Sequence, residues 1–225
     1  MRADAPKPKI IFLLEGDNEA VFLEEHLKEN HMDLVGKVMK YSTKQNTAKG
    51  FSQSDVLRDF LHSDSPLLIK DEGGITNISP AVKGYIWQFA GNKTIFWFDS
   101  HDQPFQEHIA DMNNRLLTVS CGSIKLSSSI VVTHIQFREQ KFAVLDVRVV
   151  QRKNGETEEI IGRWKVLVFN TRFEDAIQAV NPGCEVEKLS GQKRRDAVLK
   201  YYRHDRSSDL RKRINELLDW AKKMD

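Results

Sequence analysis

Apolar runs alternate with amphipathic segments along the first half of the chain. Residues 9–14, which contain IIFLL, form the continuous apolar run expected of a strand that is buried on both faces. Residues 18–30 place Val21, Phe22 and Leu27 on one side and charged residues on the other, which predicts a helix. The same alternation predicts strands at 34–41, 66–70 and 93–98, and helices at 54–62, 77–89 and 104–117. This order is typical of parallel βαβ units.

The second half of the chain has a different pattern. Segments rich in valine and isoleucine at 128–137, 141–150 and 159–169 predict strands, and an Asn-Gly pair between the last two indicates a hairpin. We therefore expect antiparallel strands that extend the sheet. Further helices are predicted at 171–180, 191–203 and 207–223.

The predicted fold class is α/β, with a central, mostly parallel sheet, flanking helices and an extension of antiparallel strands. A length of 225 residues suits a single domain over residues 1–225. Its parts are a βα core at 9–117, the strand extension at 128–180 and basic C-terminal helices at 190–225. Edge pairing of the strands at 128–170 would give a dimer, but the oligomeric state stays open.

The composition is that of an ordinary globular protein, with 40% hydrophobic residues, 29% charged residues and a net charge of +2. No stretch reaches the roughly 20 apolar residues needed to cross a bilayer, and the polar N-terminus, MRADAPKPK, is unlike a secretory signal. Two distant cysteines, Cys121 and Cys184, argue against a disulfide framework and a cysteine-rich zinc site. We therefore expect a cytoplasmic protein with no membrane partner.

Acidic residues follow three of the predicted strands, in the loops at 15–19, 71–74 and 99–102. In an open parallel sheet, ligands bind outside the carboxyl ends of the strands, so the three loops are expected at one functional edge. Carboxylates brought together repel one another, and a divalent cation relieves the repulsion. Glu15, Asp99 and Asp102 are therefore candidate ligands of Mg²⁺ or Mn²⁺. The alternative, which we favour for Asp17 or Asp102 taken alone, is a helix cap.

Other features of these loops are less specific. Gly73 and Gly74 can let a backbone approach a phosphate, although a plain turn is the simpler interpretation. His101 is a candidate metal ligand or proton donor. The chain contains no P-loop, no dinucleotide glycine fingerprint and no GxSxG nucleophile motif.

Lysine and arginine are concentrated between residues 188 and 223. A basic face on an otherwise balanced protein suits a phosphate-rich partner. The candidate nucleic-acid-binding residues are Lys193, Arg194, Arg195 and Arg203. An equally weighted alternative is a solvated helix face, on which acids such as Asp196 and Glu216 pair with the cations.

Several of these segments together resemble the Toprim family. FLLEGDNEAVFLEEHL is similar to the first Toprim motif, a hydrophobic strand that ends in Glu-Gly and is soon followed by another acid. TIFWFDSHDQ resembles the second motif, a strand that ends in an aspartate turn. LIKDEGGITNISPAV and VFNTRFEDAI are similar to a Gly-Gly loop and a later acidic element of small stand-alone Toprim-like proteins of bacteria and archaea. The resemblance covers residues 9–117, is weaker at 128–180 and is absent beyond.

By matching position, the resemblance implies that Glu15 is a general acid or base and that Asp99 is the first Mg²⁺-binding aspartate. The second aspartate position falls on His101, and Asp102 follows it. Either Asp102 substitutes through a shift of one residue, or metal binding is weakened or lost. The accessory candidates are Glu19, His101, Gly73, Gly74 and Glu174.

The resemblance implies metal-dependent phosphodiester chemistry on DNA or RNA, and a nuclease is the leading hypothesis. A non-catalytic Toprim-like module that binds nucleic acid or a protein is the alternative. A nucleotide-binding or small-molecule-binding doubly wound protein is a third hypothesis, and the lack of a dinucleotide fingerprint counts against it. The first hypothesis requires Glu15 and the turn at 99–102 to meet at one edge of the sheet.

Overall fold

The structure is a computed structural model that describes residues 9–35, 37–42, 53–73, 86, 88–99, 104, 107, 110–111, 114, 120–121, 123–129, 135–137, 140–153, 157–169 and 172–223. Within these residues the chain forms one mixed sheet of nine strands with flanking helices. The predicted α/β class, with a mostly parallel central sheet, is confirmed.

Five strands form the parallel part of the sheet. They are β1 (Ile10–Leu14), β2 (Val38–Ser42), β3 (Leu67–Asp71), β4 (Lys93–Phe98) and β9 (Thr157–Phe169). Their order across the sheet is β2–β3–β1–β4–β9. β1, β3 and β4 are buried along their whole length, which explains the continuous apolar run of β1 and the short apolar runs within β3 and β4. The carboxyl ends of all five strands lie at the same edge.

Four further strands complete the sheet: β5 (Ser120–Cys121), β6 (Ile124–Ser129), β7 (Ile135–Phe137) and β8 (Gln140–Lys153). β8 and β9 pair antiparallel, with Lys153 opposite Thr157, so the predicted antiparallel pairing of these two segments is confirmed. The other side of β9 differs from the expected antiparallel extension, because it pairs in parallel with β4. Valine-rich strands suit either pairing, so their composition does not distinguish the two.

Gly162, in the interior of β9, allows a close backbone approach. A Cβ atom at this position would lie 1.9 Å from the backbone oxygen of Ala90. The glycine therefore lets the helical residues 88–90 pack directly on the strand, which is a recognised reason for glycine inside a sheet.

The helices are α1 (Asp17–Asn30), α2 (Gln53–His62), α3 (Phe173–Gln178), α4 (Gly191–Arg203) and α5 (Ser208–Lys222). Short 3₁₀ turns occur at Val186–Lys188 and Asp205–Ser207. All five helices coincide with predicted ones. The predicted helices at 77–89 and 104–117 fall mostly outside the described residues. Of the described positions in these two ranges, all but residue 104 are helical: 86, 88–89, 107, 110–111 and 114.

The helices cover both faces of the sheet. On one face, α1, α3, α4 and α5 share a core in which the Phe22 ring packs on Trp97, Phe173 and Tyr202. On the other face, α2 contributes Leu57 and Phe60 to a second core. This arrangement is a three-layer α/β/α fold. Among the described residues, no helix combines the length and apolar character needed to span a membrane.

Candidate functional site

Glu15 and Asp99 meet at the carboxyl edge of the sheet. β1 and β4 are adjacent and parallel, with Leu14 opposite Trp97, so the residues that follow the two strands emerge side by side. The Glu15 Oε2 atom accepts a hydrogen bond from the backbone N–H of Asp99 at 3.4 Å. Both residues are buried, Glu15 being 8% and Asp99 2% exposed. The two acids that carry the Toprim resemblance are therefore neighbours, as their strand-end positions predict.

Asp99 also has a structural contact. Its Oδ2 atom accepts a hydrogen bond from the backbone N–H of Phe173, the first residue of α3, at 2.9 Å. The Phe173 ring in turn packs against Trp97 of β4, with ring centroids 5.3 Å apart. Asp99 therefore ties the end of β4 to the segment that follows β9, and this contact brings the start of α3 to the site.

Glu19 joins these acids from the first turn of α1. It is the third residue of the helix and is 3% exposed, with its carboxyl near the strand end. Burial raises the pKa of Glu19 well above its ordinary value, and the charges of Glu174, Asp99 and Glu15 raise it further. The protonated form is favoured because an ionised Glu19 would be poorly hydrated and would face three other carboxylates. We call Glu15, Glu19, Asp99 and Glu174 the acidic cluster.

Asn18 connects α1 to α3. Its Nδ2 atom donates to Oε1 of Glu174 at 2.6 Å, so that the first turns of α1 and α3 are joined. Asn18 is 4% exposed, and its Oδ1 atom is buried with no hydrogen-bond partner among the described residues. A buried amide oxygen of this kind is a suitable ligand for a hard cation.

The donor atoms of the acidic cluster are of the chemical type that binds Mg²⁺ or Mn²⁺. They are carboxylate oxygens, which these ions prefer, and their mutual repulsion is the condition that a cation relieves. Within the described part of the chain, no three His, Cys, Asp or Glu side chains are arranged as a metal-binding group. The predicted ligand Asp102 and the accessory residue His101 lie outside the described residues.

A second acidic pair lies further along the same edge. Asp71, at the end of β3, is hydrogen-bonded to Asp17 and to Ser42. Burial raises the pKa of Asp71 to about 6, and the neighbouring Asp17 and Glu72 add to the rise. The N-cap of α1 is Gly16, so Asp17 is not the predicted cap; it lies in the first turn, where an acid complements the helix dipole. Its carboxyl reaches Asp71 instead.

A cleft of about 750 Å³, which we call the edge cleft, opens beside this pair between α1, the ends of β2 and β3 and the start of α4. Its charged residues are Asp17, Glu24, Lys40, Asp71, Arg194 and Arg195. Glu24 pairs with Lys40 at 2.8 Å and with Arg195 at 3.6 Å. Lys40 has no distinctive pattern around it in the sequence, and only the fold brings it to Arg194 and Arg195.

The other predicted nucleic-acid-binding residues lie elsewhere. Lys193 is exposed and does not line the edge cleft. Arg203 is at the far end of α4, where it pairs with Glu25 at 3.1 Å. The basic segment is thus divided, with Arg194 and Arg195 lining the edge cleft and Arg203 in a solvated ion pair.

The glycine loop after β3 is described only at its start. Gly73 is exposed and has a φ of 69°, a left-handed conformation that favours glycine. This fits the turn that we took as the simpler interpretation. Gly74 lies outside the described residues.

Two buried polar groups had no clear sequence signal. Lys70 and Glu72 form an ion pair in which both side chains are 0% exposed, and Lys70 lies over the Tyr41 ring. The only hint in the sequence is a lysine within an otherwise apolar strand. His26 and His31, whose spacing of five residues does not place them on one helix face, both contact Oδ1 of Asn215, at 2.7 and 2.8 Å.

No family model matches the chain, and neither the curated proteins nor the solved structures contain a match. The Toprim resemblance therefore stays a prediction based on the motifs. The functional arguments come from the chain's own chemistry, which combines buried acids at a sheet edge with an adjacent cleft that contains three cationic side chains.

Proposed function

We propose that this chain is a Toprim-like, Mg²⁺-dependent nuclease that hydrolyses phosphodiester bonds in DNA or RNA. The observation that carries the proposal is the contact between Glu15 and Asp99 at the carboxyl edge of the parallel sheet. Glu19 and Glu174 lie close enough for their charges to interact. Ligands of open parallel sheets bind at this edge. Buried acids that repel one another contribute little to the stability of a fold, so a role in binding or catalysis is the better explanation for them.

The metal ion would be held by Asp99, Asp102 and Glu15, with Glu19 and Glu174 as accessory groups. The Asn18 amide oxygen is a further oxygen donor within the same turn of α1. When bound, Mg²⁺ or Mn²⁺ would neutralise negative charge on the phosphoryl group. The Asp99 contact with α3 would keep that carboxylate in place before the ion arrives.

Hydrolysis forms a bond between a water oxygen and phosphorus and breaks the bond from phosphorus to the leaving nucleoside oxygen. The attacking water loses a proton, and the leaving oxygen gains one. Glu15 would carry one of these protons, since its carboxyl lies at the strand end beside Asp99. Arg194, Arg195 and Lys40 would bind phosphates of the substrate strand, so binding should weaken steeply as salt increases.

Metal-dependent cleavage of DNA and RNA tests the proposal. We expect cleavage with Mg²⁺ or Mn²⁺ and a loss of at least about 100-fold in Glu15→Gln, the range in which a general acid or base contributes. We expect a loss of at least about the same size in Asp99→Asn because it weakens the binding of the metal ion. Asp175→Asn is the matched control, because Asp175 is exposed and lies next to Glu174 on α3. Thermal unfolding of each variant separates a loss of activity from a loss of fold.

Unchanged cleavage in both cluster variants would exclude this site. Salt-sensitive binding of nucleic acid with no turnover in the wild type would favour the alternative function, a non-catalytic Toprim-like module that binds nucleic acid or a protein. That outcome would also predict no gain in thermal stability on addition of Mg²⁺.

A further inference from the structure

The charged residues of the edge cleft balance overall, but they fall into two groups: the Asp17–Asp71 pair, and three cations that are gathered with the single acid Glu24. Lys40 and Arg195 share one carboxylate, that of Glu24, so this group has one more cation than anion. Arg194 adds another cation: its Nη2 atom donates to the backbone oxygen of Glu187 at 3.1 Å. Its Nε atom is buried and has no hydrogen-bond partner within the described part of the chain.

We propose that the edge cleft binds the terminal phosphate of a nucleotide, as the end of a nucleic acid strand whose next phosphodiester reaches the acidic cluster. This inference rests on the proposed function and adds to it a preference for strand ends. A phosphate monoester carries about 1.5 to 2 negative charges at neutral pH, whereas an internal diester carries one. Within the group around Glu24 the cations outnumber the acid by two, which suits a terminal phosphate better than an internal one.

The guanidinium of Arg194 suits this ligand. Its planar fork of N–H groups fits two phosphate oxygens at once, which a lysine ammonium does not. One side of the guanidinium is already held by Glu187, so that little side-chain freedom is lost on binding. The first residues of α4, Ser190 to Gln192, also line the cleft, and the N–H groups of a helix start favour an anion.

The size and remaining lining of the cleft suit one nucleotide. Its volume of about 750 Å³ lies within the range of small-ligand sites, roughly 300 to 1,000 Å³. Val21, Ile69 and Leu189 provide an apolar surface for a base or sugar. The carboxyl groups of Asp17 and Asp71 can accept hydrogen bonds from sugar hydroxyls. Asp17 is also two residues from Glu19, so the cleft and the acidic cluster share the first turn of α1.

Calorimetric titration with three probes tests the inference: adenosine 5′-monophosphate, adenosine, and adenylyl adenosine, whose only phosphate is a diester. We expect the monophosphate to bind at least about tenfold more tightly than the other two, which equals about 1.4 kcal/mol. Arg194→Gln should remove at least about tenfold of that affinity, the loss expected for a charged hydrogen bond. Arg194→Lys should recover only part of it, and Lys212→Gln, an exposed cation on α5, should change nothing.

Equal binding of the monophosphate and adenosine, or no binding of either, would overturn the inference. So would undiminished binding by a folded Arg194→Gln variant, or equal affinity for the diester probe. Asp99→Asn separates this result from the proposed function, because Asp99 does not line the cleft. Cleavage that depends on Asp99, without selective binding of the monophosphate, would refute the inference about the edge cleft and leave the proposed function intact. Arg194-dependent binding without any cleavage would defeat the nuclease.

Discussion

Replacing Asp71 with asparagine should change how the stability of this protein depends on pH. Asp71 is 5% exposed and is hydrogen-bonded to Asp17 and Ser42, and its pKa is raised to about 6 from an ordinary value of 3.8. Burial is the main cause, and the charge of Asp17 adds to it. Asparagine has nearly the same shape and does not titrate, so the variant removes the titration of the Asp71 carboxyl.

The direction of the change in stability with pH follows from the number of protons that the folded and unfolded states bind. Between pH 3.8 and about 6, the folded protein retains a proton on Asp71 that the unfolded chain has lost. This stabilising contribution is therefore complete below pH 3.8 and disappears as the pH rises to about 6. At 1.36 kcal/mol per pH unit the full difference is about 3 kcal/mol, and water in the edge cleft screens part of it, which leaves about 1 to 3 kcal/mol.

Urea unfolding of wild type and Asp71→Asn from about pH 4 to pH 7 measures this difference. We expect the free energy of unfolding of the wild type to fall by about 1 to 3 kcal/mol relative to the variant over that range. Asp59→Asn, at an exposed position on α2, should run parallel to the wild type. Parallel curves for wild type and Asp71→Asn would show that the Asp71 carboxyl does not retain a proton at the sheet edge.

Three further predictions concern the rest of the fold. Gly162→Ala should lower the free energy of unfolding by at least about 2 kcal/mol because its Cβ would meet a backbone oxygen, whereas Gly91→Ala, with open space around it, should not; urea unfolding of both checks this. Lys70→Met should cost about 3 to 5 kcal/mol by removing the cation buried beside Glu72, and changing both residues to methionine should restore most of the loss in the same assay. Burial lowers the pKa of His26 from 6.5 to about 4. The free energy of unfolding of the wild type should therefore fall by up to about 3 kcal/mol relative to His26→Gln as the pH falls from 6.5 to about 4. Equal acid sensitivity of the two proteins would contradict this.

The centre of the parallel core could be predicted because β1, β3 and β4 are buried on both faces. IIFLL and the IFWF of KTIFWF are continuous apolar runs, so they are recognised as strands without further information. The same reasoning places Glu15 and Asp99 at one edge, since residues that follow neighbouring parallel strands must emerge together. The proximity of Glu15 and Asp99 is therefore a consequence of strand order, and the βαβ pattern allows only a few strand orders.

Contacts between distant segments could not be predicted in this way. β9 pairs in parallel with β4 on one side and antiparallel with β8 on the other. The composition of a valine-rich strand does not indicate the direction of its partner. Asp17 looks like a helix cap until Asp71 is beside it, and nothing local specifies that pair. Lys40 likewise becomes a cleft residue only because α4 packs over α1 and the sheet edge.

The central claim is that Glu15 and Asp99 bind a divalent cation together, and anomalous scattering from crystals soaked in Mn²⁺ tests it most directly. The account predicts one strong peak at about 2 to 2.3 Å from carboxylate oxygens of both residues, which is absent from Asp99→Asn crystals. Saturating Mn²⁺ that leaves this edge empty, or a peak that Asp99→Asn does not affect, would contradict it.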